Sequence, residues 1–149
     1  MAIFDALLEF SDEQAITVTA VATNSLDMQA ANLEMGAGEP IYLNVKVGNT
    51  AFTTGGDNDG TLVVALVYDT VSPIDTSSSV IYQTPALAES TLTAGTWIMR
   101  MALPVDVDKG QFVGLLYTTA NDITGGTINA WLDHGPQSSY DTQVAESNI

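Results

Sequence analysis

Residues 41–47 read Ile-Tyr-Leu-Asn-Val-Lys-Val, a run in which an apolar residue occupies every second position. Successive side chains of an extended strand point to opposite faces, so this alternation indicates a strand with one buried face. The buried face is predicted to carry Ile41, Leu43, Val45 and Val47. Pro40 closes the run on its N-terminal side.

Similar short segments, rich in β-branched and aromatic residues, lie on both sides of this strand and are separated by clusters of turn-forming residues. They comprise residues 15–22, 25–28, 61–68, 80–83, 96–103, 111–119 and 127–133. The 61–68 segment is apolar almost throughout, which predicts that both of its faces are covered. Pro85, two residues after the segment 80–83, predicts an edge strand. The sequence therefore predicts an all-β, jelly-roll-like β-sandwich of about eight antiparallel strands in a single domain.

The chain of 149 residues is long enough to bury a core of its own. We predict an N-terminal apolar arm over residues 1–12, the sandwich over residues 13–134 and a polar C-terminal tail over residues 135–149. The arm and the edge strand present apolar side chains that require a partner surface, either the same domain, another subunit or another protein. The predicted contact residues are Ile3, Phe4, Leu7, Leu8, Phe10, Val80 and Tyr82.

Charge restricts the partners of this chain. Eighteen acidic residues against three basic ones give a formal net charge of −15. Nucleic-acid binding requires clustered cations that neutralise phosphates, so no nucleic-acid partner is expected. The N-terminus lacks a basic signal-peptide region and no apolar run approaches the roughly 18–20 residues of a membrane span, so neither export nor membrane insertion is expected. The chain has no Cys, which excludes thiol chemistry and disulfides.

The sequence offers few candidates for catalytic residues. His134 is the only histidine and follows Asp133, but adjacent residues of an extended chain point to opposite faces, so the two are poorly placed to act together. Glycine-rich phosphate loops, His-Glu metal pairs and nucleophile elbows do not occur in the sequence. We therefore predict no catalytic residue, no cofactor and no enzymatic activity, although a hydrolase using His134 with a distant serine remains an alternative.

One loop of the sequence is a candidate calcium site. Asp57-Asn58-Asp59-Gly60 resembles the opening of a calcium loop, which makes Asp57 and Asp59 candidate ligands. The run lacks a third acidic position and the distal bidentate Glu, and turn chemistry explains the same residues. Residues 106–110 form a similar fragment, in which Lys109 would oppose a cation, and they are predicted to form an exposed turn.

Trp97, Trp131, Phe112 and Tyr117 offer the elements of a sugar-binding platform. Each one lies within a strand pattern, where large aromatic residues are more often part of the core, and we favour that interpretation. A carbohydrate- or receptor-binding β-sandwich remains an alternative.

Several segments, in order along the chain, resemble the capsid cement (decoration) protein family of tailed bacteriophages. They are Ile3-Phe4-Asp5-Ala6, Phe10-Ser11-Asp12, Gln14-Ala15-Ile16-Thr17, residues 40–47, residues 61–66, Leu103-Pro104 and Leu115-Leu116-Tyr117. The resemblance implies a jelly-roll domain on the outer surface of a virion's capsid. It further implies a homo-oligomer, dimer or trimer, that bridges neighbouring major capsid protein subunits.

Overall fold

The computed structural model describes residues 6–28, 40–103 and 111–133. Within these ranges the helical segments are two single 3-10 turns, Ala6–Leu8 and Glu89–Thr91. The strands, in chain order, are β1 (Glu9–Ala15), β2 (Ala20–Val21), β3 (Leu26–Asp27), β4 (Tyr42–Val47), β5 (Thr53–Thr54), β6 (Thr61–Asp69), β7 (Ser79–Gln83), β8 (Leu87–Ala88), β9 (Trp97–Ala102), β10 (Phe112–Ala120), β11 (Ile123–Gly125) and β12 (Thr127–Asp133).

The strands form two main antiparallel sheets. The four-stranded sheet has the order β1-β12-β4-β9, and the second sheet has the order β2-β10-β6-β7, with β3 beside β10 and β8 beside β6. Strands β5 and β11 form a small separate pair. The β5–β11 pair is left out here, and β2 with β3 and β7 with β8 each count as one strand. The eight strands then run 1-8-3-6 in one sheet and 2-7-4-5 in the other. That order is the jelly-roll topology, and the predicted all-β sandwich is confirmed.

The two sheets share one apolar core. Strand β4 contributes Leu43, Val45 and Val47, all fully buried as the alternation predicted, and Ile41 is 6% exposed. The second sheet faces them with residues from β6 and β10, namely Leu62, Val64, Leu66, Leu115 and Tyr117. Burial of these groups is the main source of stability for a domain without disulfides.

The outer face of β6 is also covered, as its continuous apolar sequence predicted. Ala65 and Val67 point away from the main core and pack with Leu116 and Ile74 in a second apolar cluster. Ile74 lies in the loop after β6, and the absence of a side chain at Gly114 gives it room, since a Cβ there would lie 3.2 Å from Ile74 Cγ1. The loop thus takes the place that a third layer would otherwise fill.

The N-terminal part of the sandwich begins earlier than predicted. Strand β1 starts at Glu9 and pairs with β12, so residues 9–12 belong to the four-stranded sheet and not to an arm. The predicted strand over residues 15–22 is interrupted, because β1 ends at Ala15 and β2 begins only at Ala20. Ile16 is fully buried, but Val18 is 66% exposed. The chain turns here from one sheet to the other, and β-branched residues within the turn imitate a strand pattern.

Candidate functional site

The candidate calcium residues lie in an exposed turn between β5 and β6. Asp57 and Asp59 are both exposed, Asn58 has a positive φ of 52°, and the side-chain amide of Asn121 donates to the Asp59 carbonyl at 3.2 Å. The residues described contain no group of three or more acidic or histidine side chains that could hold a metal ion. The geometry is that of a connection with a left-handed residue, in which Asn is readily accommodated.

The residues predicted to make contacts are distributed over different environments. Val80 and Tyr82 lie on β7 at the edge of the second sheet, as predicted, and are 49% and 43% exposed. Leu7 is 76% exposed, whereas Leu8 is half-buried and packs against the main core. Phe10 is fully buried, so its assignment as a contact residue is wrong. The physical reason is that β1 turns Phe10 toward the core.

Several predictions from the sequence fall on residues outside the part of the chain that the structure describes. They concern Ile3 and Phe4 of the apolar arm, the turn at residues 106–110 with Lys109, His134, and the tail over residues 135–149.

The aromatic residues divide into two groups. Tyr117 is fully buried and Phe112 packs against the second apolar cluster, so both serve the interior as predicted. Trp97 and Trp131 lie on the outer side of the four-stranded sheet. Trp131 is nevertheless buried there, with 8% of its surface exposed, as predicted. Trp97 is half-buried and does not belong to the core, so the interpretation as a core residue is wrong for Trp97. The two ring centroids are 5.7 Å apart at an interplanar angle of 57°.

A β-bulge explains the position of Trp97. Along β9, Met99 pairs with Val45, but Trp97 pairs with Lys46, and the register shift between the two pairs leaves Ile98 unmatched. Met99 and Ile98 pack against the core, and Trp97 consequently emerges on the same side as Lys46. A bulge places one extra residue in one strand, so the residues beyond it, here Trp97, point to the opposite face of the sheet from the one that strict alternation would give.

Two cations lie beside the Trp97 ring. The Arg100 guanidinium carbon lies 4.3 Å from the centroid of the Trp97 ring, and Lys46 Nζ lies 5.8 Å from the same centroid. Both distances are in the range of cation–π attraction. We call the surface formed by Lys46, Trp97, Arg100 and Trp131 the Trp97 face. Asn44 lies beneath it, paired in register with both Arg100 and Trp131, and is only 1% exposed.

A cleft of about 230 Å³ adjoins the Trp97 face. Its lining residues are Glu9, Ser11, Asp12, Lys46, Asn129 and Trp131. The Trp131 indole N–H donates to the Asp133 carboxylate at 3.2 Å, which fixes the ring. Acidic side chains thus lie on the β1 and β12 side of this surface, and basic side chains lie on the β4 and β9 side.

Glu13 fastens β1 to its neighbours beside this cleft. Its carboxylate accepts from the Asn49 backbone N–H at 2.9 Å, from the Thr127 hydroxyl at 2.8 Å and from the Asn129 amide at 2.7 Å. The Asn49 hydrogen bond is the main reason that the pKa of Glu13 lies below its ordinary value, with smaller contributions from Asn129, Thr127 and the charge of Lys46. Glu13 itself adopts a positive φ of 44°.

Fold and surface together define the class, a jelly-roll β-sandwich with an aromatic and cationic outer face. More particularly, the Bbp16 family model matches residues 10–132, and the chain belongs to the Bbp16 family. No curated protein matches the chain. Among the described residues, no helix has the length and apolar character needed to span a bilayer.

Proposed function

We propose that this protein is a capsid cement or decoration protein, which binds the outer surface of a phage head and stabilises it by bridging major capsid protein subunits. The observation that carries the proposal is the jelly-roll sandwich itself, together with the resemblance of its strand sequences to the cement protein family. Such a role needs a rigid body with adhesive surfaces. It does not need a catalytic centre.

The physical properties of the chain support this role. A shell filled with DNA is under outward pressure, and a rigid domain that spans two subunits opposes their separation by adding interface area. The net charge of −15 disfavours contact with packaged DNA, which agrees with a position on the exterior. Exposed apolar groups on the edge strand, Val80 and Tyr82, supply adhesive surface for a capsid subunit or for a second copy in a dimer or trimer.

The test is reconstitution on capsids that were assembled without this protein. Purified wild-type protein is expected to sediment with such shells in a saturable way, to appear as density on their exterior in electron micrographs and to raise their temperature of disruption. Failure of the folded protein to bind these shells would refute the proposal.

A substitution pair tests the edge strand. Val80→Asp with Tyr82→Asp should weaken shell binding or oligomer formation while leaving the fold intact, because both side chains are exposed. The control is the double variant Thr118→Asp with Thr19→Asp. It adds the same charge at two exposed positions outside β7. Equal binding by the two double variants would remove β7 from the contact surface.

A carbohydrate-binding module is the second candidate, because one observation favours it. The cleft beside Trp131 is lined by Glu9, Asp12 and Asn129, and planar polar groups next to an indole ring suit sugar hydroxyls. Saturable binding of glycans by the wild-type protein, lost in Asp12→Ala, would support this function over shell binding.

A further inference from the structure

The Trp97 face has the composition of a binding hot spot. Trp, Tyr and Arg are enriched among the residues that dominate binding energy at protein interfaces. Here the half-buried Trp97 and the exposed Arg100 lie together on the outer side of a sheet, next to Trp131, which is 8% exposed. The face also carries two of the chain's three basic residues.

We propose that the Trp97 face docks onto a carboxylate-bearing surface of the capsid subunit, with Arg100 as the central contact. This inference rests on the proposed function and names the side of the sandwich that meets the shell. The partner is protein, and its carboxylates lie opposite β4 and β9.

Charge pattern argues for carboxylates in the partner. Within the described part of the chain, neither Lys46 nor Arg100 forms an ion pair, despite the large excess of acidic residues. Asp133 accepts from the Trp131 indole on the β12 side of this surface, Glu9 and Asp12 line the cleft on the β1 side, and the charge of Lys46 acts on Glu13. Arg100, which is exposed, is therefore the cation of this face that is left for an external anion. The remaining charges of the domain act over a Debye length of only about 8 Å at physiological salt.

Geometry argues that Arg100 is prepared for binding. Its guanidinium lies over the Trp97 ring at 4.3 Å, yet the residue remains exposed. Stacking restricts the side chain before the partner arrives, so less conformational entropy is lost on association. A guanidinium held in this way can form two parallel hydrogen bonds to a carboxylate, which Lys46 cannot do.

Position within the sheet makes the face accessible. Strand β9 is the last strand of the four-stranded sheet, with β4 as its only partner among the described residues. A partner can therefore approach Arg100 both from above the sheet and from its edge.

Two other occupants fit less well. A sugar stacks on an open ring face, but Arg100 and Lys46 already lie over the Trp97 ring. A second copy that met this face with its own Trp97 face would place Lys46 and Arg100 opposite the same two cations, and the like charges would repel at close range.

The experiment compares Arg100→Ala, Arg100→Lys and Trp97→Ala with wild-type protein on shells assembled without it. Thr118→Glu is the matched control for Arg100→Ala, because both substitutions make the net charge more negative by one. Thr118 is an exposed residue of β10, in the other sheet. Circular dichroism and sedimentation equilibrium of each variant establish that fold and oligomeric state are retained.

Arg100→Ala and Trp97→Ala are expected to weaken shell binding about 30-fold or more, the loss typical of a hot-spot residue. Arg100→Lys should bind with intermediate affinity, Thr118→Glu should stay within about threefold of wild type, and the salt dependence of binding should be shallower for Arg100→Ala.

Each contrary outcome has a distinct meaning. Wild-type binding with undiminished affinity of Arg100→Ala overturns the docking face and leaves the cement function intact. A change in self-association without a change in shell affinity identifies the face as a contact between copies and also overturns the proposal. If wild-type protein itself fails to bind shells, the proposed function and this inference fall together.

Discussion

The buried hydrogen bond between Ser11 and Tyr117 joins the two sheets and allows a quantitative prediction about stability. Tyr117 is fully buried and its hydroxyl lies 2.8 Å from Ser11 Oγ. Ser11 donates its own proton to Gln14 Oε1 at 2.7 Å, so Tyr117 is the donor to Ser11. Gln14 Oε1 also accepts from the Thr23 backbone N–H at 2.9 Å. The network therefore has a definite direction of donation.

Ser11→Ala removes the acceptor of a hydroxyl that has no access to water. A buried polar group left without a partner costs about 1–3 kcal/mol, whereas loss of an ordinary hydrogen bond costs about 0.5–1.5 kcal/mol. Ser11→Ala should therefore lower the free energy of unfolding by about 1–3 kcal/mol. Tyr117→Phe should lower it by only about 0.5–1.5 kcal/mol, because Ser11 keeps its hydrogen bond to Gln14 in that variant. In the double variant no hydroxyl is stranded, so its loss should be smaller than the sum of the single losses by about 1 kcal/mol.

Urea unfolding followed by tryptophan fluorescence measures these free energies at pH 7. Gln14→Ala provides a comparison within the same network, because Ser11 then loses its acceptor but Tyr117 keeps its own. Additivity of the two single variants within about 0.5 kcal/mol would show that the Ser11–Tyr117 bond contributes nothing of its own and would refute the reasoning.

The same tyrosine predicts a loss of stability at alkaline pH. Burial raises the pKa of Tyr117 well above its ordinary value near 10, and the Ser11 hydrogen bond offsets this only in part. Above pH 10 the unfolded chain releases this proton while the folded chain retains it, so the free energy of unfolding falls as the pH rises. The contribution of one such group is at most about 1.4 kcal/mol per pH unit. The difference in free energy of unfolding between wild type and Tyr117→Phe, measured as a function of pH, isolates the contribution of Tyr117. Parallel pH profiles for the two proteins would contradict the prediction.

Three further predictions concern packing and charge. Phe10→Ala should lower the free energy of unfolding by about 3–5 kcal/mol, whereas Leu7→Ala should change it by less than about 0.5 kcal/mol; similar losses in urea titrations would contradict the placement of Phe10 in the core. Gly126→Ala should lower the melting temperature strongly, because φ is 140° there and a Cβ would lie 2.6 Å from the Phe52 ring; an unchanged melting temperature would disprove that contact. The lowered pKa of Glu13 stabilises the fold above the pKa of the unfolded chain and is lost on acidification through the folded pKa, so Glu13→Gln should show a shallower acid-side decrease in stability.

Much of the sandwich follows from local sequence. Alternation in residues 41–47 predicted both β4 and its buried face, because a period of two leaves only one side for the core. The continuous apolar character of residues 61–68 predicted a strand covered on both faces, and Ile74 together with the second sheet's own side chains provides the cover. Pro85 correctly marked the edge next to β7.

Other features depended on contacts between distant residues. The turn at residues 16–19 has the composition of a strand, and only the pairing of β1 with β12 and of β2 with β10 determines where the chain changes sheets. Phe10 looked like part of an adhesive arm because a short apolar run does not reveal which surface will cover it.

The sequence by itself determined the class of fold, the strong negative charge and the segments that become strands, since strand periodicity and composition are local properties. Tertiary structure alone decided that Trp97 lies on the outer side of its sheet, where it meets Lys46, Arg100 and the buried ring of Trp131. The physical reason is the bulge between β4 and β9, because a shift of one residue in register moves the Trp97 side chain to the opposite face of the sheet.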